Sequence, residues 1–387
     1  MKMAEVRRMD RIVVVGGGLA ASRSCVALRR QGHDGDVVLI AAEPHMPYDR
    51  PPLSKGMLHG TCTDPTLPVD LTGLGVQIQL GTAATGLRPG ERTVTTVSGE
   101  VTYDGLVIAT GARPVRLPGD GEQLLLRTVD DARVLRDRLV PGARIVVIGA
   151  SWIGAEVVTA AITAGCRVTC LEAGPGPAAQ VCGAEVAERF MPWWEGVDLR
   201  CGTAVARVEC AGVLLKDGTL VPADTVITGI GVRPETGWLE GSGLQLDRGV
   251  VVDERLRAAP GIVAVGDVAA RWSPRWNRHL RITHWDDASS GPAVAAASLL
   301  AEGDSGPVYD PVPYFWSDQF GHKVQYLGRL GTEDKPEFCE PADERGWSFA
   351  WFDAERRLTA VLAVDRPRDI AQARRLLASD SPRLVAT

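Results

Sequence analysis

The apolar positions of this chain fall into short runs, and two of the runs open the same arrangement. Ile12 to Val15 is four residues long and β-branched throughout. That is too short for a helix core and suits a parallel strand buried on both faces. A helix is expected from about Leu19 to Gln31 and a second strand from Val37 to Ala42. The arrangement returns as a strand at Ile145 to Ile148, a helix at Ala155 to Ala164 and a strand at Arg167 to Leu171. A longer echo supports the repeat: Asp104 to Pro114 and Asp224 to Pro234 match in length and pattern. A repeat of this size fits two related domains and exceeds the period of a solenoid. Leu106 to Ala109 and Ile262 to Asp267 read as further buried strands; the second is placed back in the first domain, so that the second domain is inserted. Residues 67–102 read as short strands and turns punctuated by glycines. After Gln319 the pattern changes to antiparallel strands near Lys323 to Leu327, Trp347 to Phe352 and Leu358 to Val364. A last helix opens at Pro367, whose fixed φ suits a first turn.

The loops that follow the two leading strands carry the chemistry. Gly16, Gly18 and Ala21 form G-x-G-x-x-A. In this spacing the first glycine makes the tight turn, the second lets backbone approach a pyrophosphate, and the third small residue seats helix against strand. The helix start offers amides and a positive dipole end to phosphates. Glu43 ends the next strand, where an acid accepts from a ribose 2′-hydroxyl. In the second unit Gly149, Ser151 and Gly154 read G-x-S-x-x-G, and Glu172 takes the ribose place. Ser151 is admissible there only with ordinary backbone angles. Ile153 stands where a G-x-S-x-G nucleophile elbow needs glycine, so that reading is excluded. Two dinucleotides are expected. Between them, Pro47 to Lys55 is a stiff, proline-rich loop that feeds a short helix near Leu53. Arg50 and Lys55 are either surface charges, or a phosphate or ribose contact and a cation at a redox ring.

Composition narrows this further. A length of 387 residues allows two or three domains, and a net charge of -6 gives no general case for nucleic acid. The eight cysteines contain no C-x-x-C pair, which removes a dithiol reductase of that type. Cys166 and Cys170 flank an expected buried strand and read as packed thiols. Met1 to Asp10 is charged without an apolar signal region, and no stretch approaches bilayer-spanning length, so a cytoplasmic protein is expected. Arg271 to Arg281 holds four arginines and no acid. It is either a solvated loop or the face presented to an acidic partner.

The segments Arg50-Pro-Pro-Leu-Ser-Lys55, Ala109-Thr-Gly-Ala-Arg-Pro114, Gly229-Ile-Gly-Val-Arg-Pro234, Val265-Gly-Asp267 and Tyr314-Phe-Trp-Ser-Asp-Gln319 resemble the FAD-dependent ferredoxin reductases of bacterial oxygenase systems, in the putidaredoxin reductase and biphenyl-dioxygenase reductase group. The resemblance covers nearly the whole chain. It implies an α/β fold with two Rossmann-like dinucleotide-binding domains of the glutathione-reductase kind, the second inserted in the first, plus a small α+β carboxyl-terminal domain. The corresponding bounds are 8–115 with 246–312 for FAD, 116–245 for NAD and 313–387 for the interface domain. By the resemblance, FAD is held by Gly16, Gly18, Ala21, Glu43, Arg50, Lys55, Thr110, Gly111, Arg127, Asp267, Trp285 and Trp316. NADH is held by Gly149, Ser151, Gly154, Glu156, Glu172 and Gly231. Lys55 lies by the flavin N5, Glu156 pairs with it and meets the nicotinamide, and Trp316 is either the aromatic near the flavin or a core tryptophan. No metal is implied. Implied partners are a ferredoxin, [2Fe–2S] in type, and then a cytochrome P450 or Rieske oxygenase, with the reductase a monomer or homodimer. Alternatives are a rubredoxin reductase or a redox-gated binding protein similar to apoptosis-inducing factor. Two departures stand out: Thr283 replaces a common glutamate before His284 and Trp285, and the loop after Glu172 is poor in basic residues.

Overall fold

The computed structural model describes residues 9–303, 305–339 and 346–378. Residues 1–8, on which the reading of the amino-terminal segment mostly rests, lie outside them. The chain divides into two compact units, one of Met1–Asp49, Thr66–Arg113 and Arg233–Pro313, the other of Arg50–Pro65, Pro114–Val232 and Tyr314–Thr387.

The first unit is built on a six-stranded sheet. Its order is Arg257–Ala259, Ile262–Ala264, Gly105–Ile108, Arg11–Val15, Asp36–Ile40 and Val76–Gln79. Only the outermost Arg257–Ala259 runs antiparallel to its neighbour; the other pairings are parallel, with Val13 opposite both Val38 and Leu106. Ile12, Val14, Leu39 and Val107 are fully buried, as strands covered on both faces require. The helices Leu19–Arg30 and Trp285–Leu300 pack on each other. All four sheet ends that matter chemically, after Val15, Ile40, Ile108 and Ala264, are carboxyl ends, where ligands of open α/β sheets bind.

The second unit repeats the design with a four-stranded parallel sheet, ordered Asp198–Arg200, Arg167–Leu171, Arg144–Ile148 and Thr225–Thr228. It also carries a five-stranded antiparallel sheet ordered Tyr314–Gln319, His322–Gly328, Leu358–Val364, Trp347–Phe352 and Lys335–Cys339. The helix Pro367–Ala378 packs against that sheet.

Five expectations need correction. The strand expected from Ile262 to Asp267 stops at Ala264, because Gly266 takes φ +76° and turns Gly266–Val268 into a single 3-10 turn. The second nucleotide helix starts at Trp152, not Ala155. The basic run is a hairpin, Ala269–Ser273 with Arg278–Leu280, rather than a loop. Within it Arg271 is buried, not solvated: Asp287 lies 3.4 Å and Asp310 3.2 Å from its guanidinium. Of the two thiols read as packed, Cys170 is buried and Cys166 is half-buried.

Candidate active site

In the first unit the leading strand delivers its loop under tight steric control. The Gly16 amide donates to the Ile40 carbonyl at 2.8 Å, and Gly16 has φ +139°. A Cβ on it would stand 2.1 Å from the Ala109 carbonyl oxygen, so no other residue fits. Gly18 differs: its angles are φ -100° and ψ -167°, and a Cβ there would meet nothing within 4 Å. Its small size therefore leaves open space at the helix start rather than relieving a contact, which is what a bound pyrophosphate requires. Ala21 is fully buried against the sheet. Tyr48, itself buried, donates to the Glu43 carboxylate at 2.5 Å and fixes its direction. Asp267 sits in the Gly266–Val268 turn, where a Cβ on Gly266 would come 3.1 Å from the Cβ of Ala20. The acid is thus held beside the first turn of the nucleotide helix. Trp285 donates its indole N–H to Asp49 at 2.7 Å, and Thr110 donates its hydroxyl to the Glu235 carbonyl at 2.8 Å. Gly111 turns with φ +70°.

In the second unit Gly149 has φ +100°, and a Cβ would lie 2.5 Å from the Gly229 carbonyl. A Cβ on Gly154 would be 1.9 Å from the Gly149 carbonyl, so helix and loop touch through that glycine. Ser151 caps the helix at φ -89° and ψ -162°, ordinary extended angles that meet the condition its side chain imposes. Glu172, buried, accepts the Ala150 amide at 2.8 Å and the Gly174 amide at 2.7 Å. Those two bonds leave acceptor capacity on a carboxylate with about four lone-pair sites. Gly231 turns with φ +104° at an exposed position.

The same unit brings together residues about a hundred positions apart. Glu156, on the Trp152–Thr163 helix, is only 2 % exposed. The Lys55 ammonium reaches its Oε1 at 2.7 Å. Ser317 donates to Oε1 at 2.6 Å and the Asp318 amide at 3.2 Å, while Ser54 donates to Oε2. Trp316, half-buried on the same strand as Ser317, stacks with Tyr314 at 6.3 Å between ring centroids. Arg50 donates to the Arg127 carbonyl, and the Arg127 amide donates to Asp131. Ser54, Ser317 and Tyr48 were not among the site residues read from sequence. Their only signal was adjacency, since each lies inside a segment singled out for another residue.

Each unit thus carries a glycine loop of dinucleotide type, and the second also holds a buried carboxylate paired with a lysine. A family profile described as pyridine nucleotide-disulphide oxidoreductase matches residues 10–291, and one described as reductase C-terminal matches residues 314–386. The chain belongs to the pyridine nucleotide-disulphide oxidoreductases. It is similar to the anthranilate 1,2-dioxygenase system ferredoxin–NAD(+) reductase component of Burkholderia cepacia, at 34% identity over 96% of this chain and 94% of that one. Among solved structures it resembles Fdr9, with TM-score 0.92 and 57% identity over 95% of this chain and 94% of that one. It also resembles the reductase in the covalent putidaredoxin reductase–putidaredoxin complex, with TM-score 0.89 and 32% identity over 95% and 93%. This oxidoreductase uses a flavin and a pyridine nucleotide. Despite the family description, its eight cysteines are all free thiols. No helix among the described residues is long and apolar enough to cross a membrane.

Behind Asp267 the oxidoreductase carries two buried titrating groups of opposite sense. Burial pushes the Asp287 carboxyl up to about 6 against the pull of Arg271, and burial brings His284 down to about 4, partly offset by Asp267. Between about pH 4 and 6 the native protein holds a proton on Asp287 that the unfolded chain has lost, so this group lowers stability as pH rises. Between about pH 4 and 6.5 the unfolded chain binds a proton that native His284 refuses, so this group raises stability with pH. Each effect is worth about 3 kcal/mol and they oppose. Urea unfolding from pH 4 to 6.5 should therefore show stability rising with pH in Asp287→Asn and falling in His284→Asn. The parent's slope in both variants would remove the assignment.

Proposed function

We propose that this oxidoreductase is an NADH-dependent ferredoxin reductase that holds FAD and passes electrons singly to a [2Fe–2S] ferredoxin, which serves a cytochrome P450 or Rieske oxygenase in the cytoplasm. The observation that carries the reading is the buried Glu156 carboxylate with Lys55 on it. FAD, when bound, supplies the hydride acceptor and the one-electron donor. We assign residues 8–115 with 246–312 to FAD, 116–245 to NADH and 313–387 to the interface. Gly16, Gly18 and Ala21 admit the pyrophosphate, Glu43 takes the ribose and Asp267 the ribityl chain. Arg50, Thr110, Gly111, Arg127 and Trp285 support the same cofactor. Gly149, Ser151, Gly154 and Gly231 form the nicotinamide-nucleotide cradle. Lys55 supplies positive charge at the redox ring, Glu156 orients that lysine, and Trp316 provides an aromatic wall. With no cysteine in the Arg50 to Lys55 loop, electrons leave the ring without a dithiol relay.

Glu172 accepts from the NADH 2′-hydroxyl and repels the NADPH 2′-phosphate, and no lysine or arginine follows it before Arg189. NADH should be preferred by about tenfold or more in kcat/KM, the worth of a misplaced charge. Equal efficiency with both nucleotides would refute this.

The acceptor is tested with the exposed arginines Arg275 and Arg278 of the hairpin. Their double replacement by glutamate should slow reduction of an acidic ferredoxin on the order of tenfold at low salt, an effect screened within about 10 Å at 0.1 M. Reduction of flavin by NADH should be unchanged. An unaltered ferredoxin rate at low salt would return the hairpin to plain surface. Parent turnover with rubredoxin alone, or slow turnover with every acceptor and a long-lived NADH complex, would overturn the ferredoxin reading.

A further inference from the structure

The Glu156 carboxylate is surrounded by more donors than one lysine requires. Two of the four are serine hydroxyls with no access to water: Ser317 is fully buried and Ser54 nearly so. Gln319 donates to the Ser317 oxygen at 3.4 Å, which leaves the Ser317 proton for Glu156. The contacts come from separate pieces of chain. Ser54 immediately precedes Lys55, whereas Ser317 and Asp318 belong to the strand that also carries Trp316. That strand's end is anchored again one turn along the same helix, where the Phe320 amide donates to the Thr159 hydroxyl at 2.9 Å. Packing alone does not call for this. A buried strand position facing a helix is filled more cheaply by alanine or valine, because an unpaired hydroxyl there carries a desolvation cost.

The consequence concerns Lys55. An ammonium has three donors, and only one of them is seen on Glu156 at 2.7 Å. Its side chain keeps 22% of its surface exposed. Were Glu156 otherwise bare, its full negative charge would fall on the lysine and cancel its field at any second group. With Ser54 on Oε2, and Ser317 and the Asp318 amide sharing Oε1 with Lys55, three neutral donors take most of the carboxylate's roughly four acceptor sites and leave the cation only partly consumed.

We propose that Ser54 and Ser317 are positioning residues that share the Glu156 charge, so that Lys55 remains an oriented and only partly neutralised cation. This rests on the assignment of Lys55 to the redox ring. Removing either hydroxyl draws Lys55 closer onto Glu156 and weakens the positive field elsewhere.

The test uses the FAD-loaded protein and the variants Ser54→Ala, Ser317→Ala, Ser317→Thr, Lys55→Met and Lys55→Met with Ser317→Ala. Stopped-flow reduction gives the limiting rate and the NADH Kd separately, and a dye-coupled titration gives the flavin midpoint potential. Each alanine variant should lower the limiting rate about tenfold, the scale of one hydrogen bond to a charged group, with the Kd within about twofold. The midpoint should move negative, since a weaker cation stabilises the reduced ring less. Ser317→Thr, which keeps the donor, should recover most of both losses. In the Lys55→Met background Ser317→Ala should change neither quantity by more than about twofold, because the residue acts through the lysine. Full additivity in that background, or parent rate and midpoint in both alanine variants while Lys55→Met is slow, would overturn this inference alone. Parent behaviour of Lys55→Met would instead overturn the assignment beneath it.

Discussion

Replacing Lys55 by methionine should slow reduction of the flavin by NADH by a factor of about 100 to 1000, with FAD still bound. The side chain stays unbranched, one atom shorter, and loses its charge. A preorganised charge or donor at a site where negative charge develops is worth about 3 to 4 kcal/mol in the transition state. The loss should be confined to that step because Glu156 keeps the Ser54, Ser317 and Asp318 donors and is not left bare. Glu156→Gln approaches the pair from the other side, keeping the shape and removing the charge that orients Lys55. It should also slow reduction, and it should leave Lys55 more mobile. Stopped-flow traces at saturating NADH are the measurement. Rates equal to the parent's in both variants would show that this ion pair only holds the fold.

The second large effect separates the two glycines of the first loop. Gly16→Ala places a Cβ 2.1 Å from the Ala109 carbonyl at a φ of +139°, so backbone must move and about 3 kcal/mol or more of stability is lost. FAD should be lost with the fold of the loop. Gly18→Ala has neither problem, since its φ and ψ suit alanine and nothing lies within 4 Å of the new Cβ. That variant without FAD should be as stable as the parent, or more stable by about 0.5 kcal/mol through the unfolded chain. Yet its methyl group occupies the space assigned to the pyrophosphate, and FAD affinity should fall at least about tenfold by lost backbone approach. Thermal unfolding of the FAD-free proteins and fluorescence titration with FAD distinguish the two. Parent FAD affinity in Gly18→Ala would remove the phosphate from this loop.

Both sites were legible in sequence to the extent that their chemistry is local. The loops at Gly16 and Gly149 follow from β-branched runs and glycine spacing within six residues. Their φ values and close carbonyls are the ones that spacing demands. Ser151 shows the same logic, because a departure from glycine was acceptable on one stated condition and the backbone meets it. The basic run shows where locality fails. Four arginines with no acid among them read as a surface run, but Arg271 points inward to Asp287 and Asp310, sixteen and thirty-nine positions on. A buried charge is tolerated only where partners meet it, and those partners are invisible until the chain has folded.

What the sequence by itself determined is therefore the leading strands, the helices that follow them and the nucleotide loops, for these depend on periodicity and on glycine geometry over a few residues. Even the link between Lys55 and Glu156 came to the sequence reading through resemblance, not through any pattern in the residues between them. Tertiary structure alone decided that Ser54, Lys55, Ser317 and the Asp318 amide converge on one buried carboxylate from as far as 162 positions away. The physical reason is that a hydrogen bond between distant residues leaves no period in the chain. It exists only because desolvating Glu156 obliges the fold to supply donors from wherever they can be brought.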